Sequence, residues 1–157
     1  MLEAGIIQQL REIFSTLAHH ITFRATLATG RPENEDLRAF LEDVAAVSDH
    51  IDCTFEEAQT QQSLFSILLD GQETGIRFRG IPNGHEFTSL LLAVLNADGQ
   101  GKNLPDESTA RRIKALQGPV HLTTYVSLTC TNCPDVVQAL NVMALLNPAI
   151  EHEMVDG

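Results

Sequence analysis

Two stretches of this chain carry one apolar pattern at a constant separation of ninety-nine residues, and that repetition limits the available folds more than any other feature. Ile21 falls on Val120, Phe23 on Leu122 and Leu27 on Val126. Further along, Asp36 falls on Asp135, Leu37 on Val136, Leu41 on Leu140, Val44 on Met143 and Ile51 on Ile150. Apolar meets apolar with no gap, and each stretch reads strand, helix, strand. A unit that recurs by period rather than by identity has to be packed twice.

The surrounding periodicities extend the pattern. Ile6, Leu10, Ile13, Phe14 and Leu17 form one stripe of a helix over 2–17. Ile21, Phe23, Ala25 and Leu27 alternate with Thr22, Arg24 and Thr26 as a strand that Gly30-Arg31-Pro32 breaks. Helical spacing returns over 35–47, and alternation returns at Ile51, Cys53 and Phe55. Strands at 64–69 and 76–79, joined by a turn at Asp70-Gly71, precede a helix over 87–95. A βαβ unit followed by a hairpin and a helix is the thioredoxin-type arrangement, here with one helix in front. Beyond a connector rich in Gly, Asn and Asp, the pattern restarts with a helix at 108–116, a strand at 120–126, a helix at 135–146 and a strand at 150–154. The expected fold is therefore α/β: two tandem thioredoxin-like units, 1–97 and 106–157, linked by 98–105. The second unit stops after its second strand. By analogy with the first, roughly 40 further residues would supply its hairpin and closing helix.

The chemistry is concentrated in Thr129-Cys130-Thr131-Asn132-Cys133-Pro134, between a strand pattern and a long apolar helix pattern. Two cysteines three positions apart at a helix N-terminus can close a small disulfide ring. There the unpaired backbone N–H groups and the helix dipole favour a thiolate. Thr129 or Cys130 is the expected N-cap, Cys130 the more exposed sulfur, and Cys133 the one placed to resolve a mixed disulfide. No Lys or Arg stands close in sequence, and Asp135 opposes thiolate formation slightly. At the repeat spacing Cys130 falls on Arg31 and Cys133 on Asn34, so the first unit has no redox pair. A zinc-binding C-x-x-C and a non-catalytic docking module are the alternatives. Zinc wants four ligands, and only Cys53 and dispersed histidines remain to complete such a set. Cys53, alternating with Asp52 and Thr54, reads as a small inward-facing apolar group.

Glu86, in Gly84-His85-Glu86-Phe87, opens the last helix of the first unit. Two accounts are open from the residues alone. It is a first-turn carboxylate favoured by the helix dipole, or it lies buried under the disulfide and handles its proton. His19, His20, His50, His121 and His152 form no ligand spacing.

Composition narrows the partners. A net charge of −11, with Lys and Arg scattered, argues against nucleic acid. No apolar run reaches the roughly 18 residues needed to cross a bilayer. The start Met1-Leu2-Glu3-Ala4-Gly5 lacks the basic and apolar regions of a secretory signal. With three cysteines, the expected setting is the reducing cytoplasm, where a C-x-x-C is more often catalytic or metal-binding than structural.

Arg77-Phe78-Arg79-Gly80, the run from Gly84 to Leu90, and the stretch from Cys130 to Pro148, above all Asn132 to Asn141, resemble the N-terminal domain of the flavoprotein subunit of bacterial alkyl hydroperoxide reductase. The resemblance spans essentially all 157 residues. It implies tandem thioredoxin-like folds of which only the second is active. It also implies an oxidoreductase role in an NADH-dependent system, in which this segment takes electrons from a C-terminal FAD- and NADH-binding module. It would pass them to the disulfide of a peroxiredoxin subunit that reduces hydroperoxides. The segment itself would bind no cofactor and no metal. Cys130 would be the attacking thiol, Cys133 the resolving one and Glu86 the buried acid beneath them. The family's proline-bearing strand facing the disulfide would lie beyond Gly157, as would the flavin and nicotinamide modules.

Overall fold

The fold was obtained as a computed structural model that describes residues 2–157; Met1, the first residue of the start that lacks a secretory signal, lies outside them. The apolar stripe of Ile6, Leu10 and Phe14 forms α1 (Ala4–Phe14). The alternation from Ile21 forms β1 (Ile21–Ala28), with Ile21, Phe23, Ala25 and Leu27 buried. α2 (Asn34–Ala45) then crosses over to β2 (Ile51–Ala58), which pairs with β1 in parallel. β3 (Leu64–Leu69) and β4 (Gln72–Arg79) make an antiparallel hairpin turning at Asp70-Gly71. A single 3-10 turn (Gly84–Glu86) leads directly into α3 (Phe87–Ala97). α4 (Glu107–Lys114) is capped by Asp106, whose side chain accepts from the Thr109 N–H at 2.7 Å. A second crossover follows: β5 (Val120–Val126), α5 (Cys133–Leu146), β6 (Ile150–Asp156).

The six strands of the described residues form one sheet, ordered β2-β1-β3-β4-β6-β5. The two crossover units repeat down to register: Ile21 pairs with Ile51, and Val120 with Ile150, each ninety-nine positions on. They meet at a parallel seam between β4 and β6, from Ile76 opposite His152 to Arg79 opposite Val155. Gly75 opens that seam with φ at 87°, and a Cβ there would lie 2.8 Å from the Ile150 carbonyl oxygen. Only glycine lets the strands approach so closely in that conformation.

The buried face of the sheet joins the helices in one core. Phe65 packs edge-on against Phe23 at 5.6 Å and stacks on Phe78 at 5.3 Å, while Phe40 of α2 meets Phe87 of α3 at 6.0 Å. The opposite face carries charge. Arg24 pairs with Glu73, Arg77 with Glu151 at 3.2 Å, Arg79 with Glu153 at 3.1 Å, and His121 with Glu151 at 2.6 Å. Partly exposed pairs of this kind contribute little stability each, but the two arginine pairs that span β4 and β6 match opposite charges across the seam.

Element bounds differ from expectation where apolar alternation is missing. β4 begins at Gln72 because Gln72 and Glu73 pair with Leu69 and Leu68 of β3. β2 runs on through Glu56 and Glu57, which pair with Thr26 and Leu27. Cys53 does pack inward but is only half-buried, because β2 is an edge strand.

The sequence pattern assigned no role to His152, yet it is 1% exposed. Its Nδ1 faces Asn141 Oδ1 at 2.7 Å and its Nε2 faces Thr124 Oγ1 at 2.8 Å. Burial keeps the imidazole neutral, lowering its pKa from 6.5 to about 4. An unfolded chain binds a proton there near pH 6.5, whereas the folded chain does so only near 4. The stability tied to this group is therefore present above pH 6.5 and is lost as pH falls towards 4, by about 3 kcal/mol. Urea unfolding of the wild type and His152→Asn should show the variant less stable at neutral pH but flatter across that window. Parallel curves would remove His152 as the cause of acid sensitivity.

Candidate active site

The loop between β5 and α5 is built by short local bonds. The Cys130 N–H donates to the Ser127 carbonyl at 2.9 Å, and the Ser127 and Thr129 hydroxyls lie 3.0 Å apart. Cys133 is the first residue of α5 and Pro134 the second, where a missing N–H costs nothing. Cys130 and Cys133 are joined as a disulfide with their Cα atoms 5.6 Å apart, and the Cys133 N–H donates to Cys130 Sγ at 3.2 Å. That bond corrects the expected cap. Neither Thr129 nor Cys130 is the N-cap residue; Asn132 is, with φ −95° and ψ −19° and no side-chain cap bond. The helix starts later because the four-residue ring occupies the preceding turn, and a sulfur takes the free amide that a Thr hydroxyl would otherwise take. Both sulfur-bearing residues are half-buried. Only Cys133 packs against the core.

The 3-10 turn that carries Glu86 is pressed onto this loop. Gly84 has φ at 55°, and a Cβ there would lie 2.8 Å from the Leu128 carbonyl oxygen. The His85 N–H donates to that same carbonyl at 3.1 Å, and Asn83 Oδ1 accepts from the Gly84 N–H at 3.0 Å. Leu128 is two residues before Cys130, so the turn and the redox loop are fixed to each other.

Glu86 is fully buried, in the first turn leading into α3. Its Oε1 accepts from the Ser89 hydroxyl at 2.7 Å, and its Oε2 has no partner. Burial pushes the carboxyl above the ordinary carboxylate range; the Ser89 bond and the nearby His85 pull it partly back. Ser89, itself fully buried, also accepts from Gln138 Nε2 of α5 at 3.3 Å. Neither Ser89 nor Gln138 stands out by sequence reasoning. The available signal is only that Ser89 lies three residues after Glu86, one helical turn away.

The strand-to-helix junction of the first crossover is filled differently. Asn34 opens α2 at the position matched to Cys133, and its Nδ2 donates to the Ala28 carbonyl at 2.7 Å. The Ser63 hydroxyl donates to Asn34 Oδ1 and accepts from the Ala28 N–H at 2.8 Å. An amide and a hydroxyl thus close the place that the disulfide occupies in the second crossover. Arg31, matched to Cys130, points elsewhere: its guanidinium donates to the Gln61 carbonyl at 2.7 Å. Among the described residues no three His, Cys, Asp or Glu side chains are grouped to hold a metal ion, and no helix is long and apolar enough to cross a membrane.

No family model matches the chain. The AhpF polypeptide of alkyl hydroperoxide reductase from Staphylococcus epidermidis is 45% identical over 157 residues, covering all of this chain and 30% of that protein. Its counterpart from Staphylococcus aureus is 39% identical over the same span. The chain thus spans about a third of the length of these curated relatives. A crystal structure of the NTD N/C domain of the alkylhydroperoxide reductase AhpF from Enterococcus faecalis superposes with a TM-score of 0.89 at 34% identity, covering 99% of this chain and 80% of that one. A protein disulfide oxidoreductase from Aeropyrum pernix, at 20% identity and a TM-score of 0.85 over 99% of this chain and 75% of that one, shares the fold. With the fold and a third of its residues in common with a solved domain of AhpF, and with a cysteine pair joined at the mouth of α5, the chain belongs to the AhpF family of alkyl hydroperoxide reductases, as an N-terminal domain.

Proposed function

We propose that this chain is a thiol–disulfide relay. It carries electrons from an FAD- and NADH-dependent reductase module to the disulfide of a peroxiredoxin subunit, within the cytoplasm. The observation that carries the reading is the Cys130–Cys133 pair at the mouth of α5, with the Cys133 amide donating to Cys130 Sγ. In the dithiol state that amide stabilises a thiolate on Cys130 rather than a thiol, as a donor to the charged form does. The relatives' names supply the system: they are components of an alkyl hydroperoxide reductase. On this reading residues 1–97 and 106–157 are two thioredoxin-like units joined by 98–105. The matched registers of the two crossovers support that division.

Each cycle moves two electrons. The Cys130 thiolate attacks one sulfur of the partner disulfide, forming a mixed disulfide and releasing one partner thiolate. Cys133 then gives its proton to Glu86 and attacks Cys130 Sγ. The intramolecular disulfide re-forms, the second partner thiolate leaves and takes up the proton that Glu86 received, and Glu86 returns to its carboxylate. Two electrons and two protons from the reductase module restore the dithiol. This chain's own part is to hold the sulfurs in reach, to lower the cost of the Cys130 anion and to keep a proton acceptor dry.

Cys130→Ser and Cys133→Ser are each expected to abolish peroxiredoxin reduction, with Cys133→Ser accumulating a mixed disulfide visible by mass. Turnover that survives either change overturns the relay. A thiol count should change reversibly by two on treatment with reductant; a zinc signal in elemental analysis instead would point to a metal-bound pair. For Glu86, the base form is lost as pH falls through its raised pKa, so resolution slows on the acid side. Glu86→Gln should remove that limb and slow resolution by roughly a hundredfold; an unchanged profile would leave Glu86 a structural role only.

A further inference from the structure

Glu86 does not stand alone in the interior. Its Oε1 takes the Ser89 hydroxyl at 2.7 Å, and Ser89 Oγ takes Gln138 Nε2 at 3.3 Å. A serine hydroxyl has one hydrogen and two lone pairs. With the Gln138 amide donating into a lone pair, the hydrogen of Ser89 is free to point only away from Gln138, toward Glu86. The polarity of the chain is thereby set from α5, the helix that begins at Cys133, five residues before Gln138 and about a turn and a half of helix away. Without the amide, the hydroxyl could turn to a backbone carbonyl one turn back, as helical serines do.

We propose that Gln138 and Ser89 are positioning residues that fix which oxygen of Glu86 exchanges a proton with the redox pair, so that the helix bearing Cys133 orients its own proton acceptor. The inference rests on the reading of Glu86 as that acceptor. Oε1 is engaged as an acceptor, and Oε2 is the buried oxygen with no donor. An ionised, unpartnered oxygen in the interior is costly, so the proton resides on Oε2 when the carboxyl is neutral and leaves from there. The turn is fastened at its other side by the His85 N–H on the Leu128 carbonyl, so the backbone that carries Glu86 is tied to the loop before Cys130 while its carboxyl is tied through Ser89 to Gln138.

The titratable groups around this arrangement come from each neighbouring element. His85 precedes Glu86 on the same turn. From the α5 side come Cys133 and Asp135, and from the preceding loop Cys130. Lys102 lines the groove between α3 and α5 that Asp135 and Gln138 also line. Asp156 of β6 lies with Asn83 and Leu128 at the edge of another cleft. α3 contributes no ionisable side chain between Phe87 and Ala97. The Ser89 hydroxyl is thus the one neutral donor to the carboxyl. It stabilises the anion against burial, and its removal raises the proton affinity of Glu86.

The test is single-turnover reduction of an aromatic disulfide that releases one coloured thiolate when Cys130 attacks and a second when Cys133 resolves the adduct, followed across pH with the reduced protein. Ser89→Ala should move the acid limb of the second phase toward alkaline pH by roughly half to one pH unit. Gln138→Leu should move it less in the same direction, and Ser89→Thr should restore it. In a Glu86→Gln background Ser89→Ala should add nothing, because its effect passes through that carboxyl. A limb that stays in place in both Ser89→Ala and Gln138→Leu, while Glu86→Gln abolishes it, overturns this inference and leaves the role of Glu86 intact. An equal effect of Ser89→Ala with and without Glu86 also overturns it. A limb unaffected by Glu86→Gln overturns the underlying reading instead. Gln138 is only half-buried, so its variant carries the test if Ser89→Ala fails to fold.

Discussion

The parallel seam between β4 and β6 is the constraint on which the rest of this molecule depends. Four backbone pairings, from Ile76 and His152 to Arg79 and Val155, place two crossover units in one sheet and their helices on one face. Only with that seam in register does the turn carrying Glu86, which follows β4, meet the loop carrying Cys130, which lies more than forty residues on in sequence. Gly75 and Gly84 mark places where a carbonyl leaves no room for a Cβ, against Ile150 and Leu128 respectively. A side chain at either place would push the units apart, and the acid would lose its place beside the redox loop.

The seam also explains the division of polarity across the sheet. One face is filled by Phe23, Phe65 and Phe78 and sealed by helices; the other carries a lattice of Arg and Glu that bridges the same strands. Buried polar groups are few and are paired almost completely. His152 sits between Asn141 and Thr124, and Asp98 accepts the backbone N–H groups of Ala18 and His19, tying the end of α3 to the chain entering β1. Against that background the bare Oε2 of Glu86 and the Nδ2 of Asn141 are exceptions. A dry, unpartnered carboxylate oxygen is what a proton acceptor needs, and it is tolerable only because the carboxyl can stay neutral.

Much of the fold was legible because apolar alternation reports directly on burial. The strands at 64–69 and 120–126 agree with β3 and β5 to the residue, and the ninety-nine-residue spacing reappears as strand register. The start of β4 was not legible, because Gln72 and Glu73 are polar and are strand by virtue of pairing with Leu69 and Leu68 of β3. The seam itself left no trace, since nothing in a single chain's periodicity says which strand of one unit will pair with which strand of another. The cysteine pair was legible from spacing. The depth of Glu86 came from family resemblance and not from its residues, and the Ser89–Gln138 connection was invisible because hydrogen-bond partners on different helices have no spacing rule. The cap of α5 was misplaced for a related reason: the rules for helix starts weigh oxygen acceptors, and here the acceptor is sulfur.

Under the proposed relay, Asn34 bears on the traffic of reducing equivalents. Its amide, bonded to Ala28 and Ser63, stands where the other crossover has its inner sulfur, and an amide neither oxidises nor departs as an anion. The remaining cysteine, Cys53, is held as a thiol by burial and by Glu42 and Asp52. On that reading one junction of this sheet is electrically dead and the other live, so charge that arrives has a single way out.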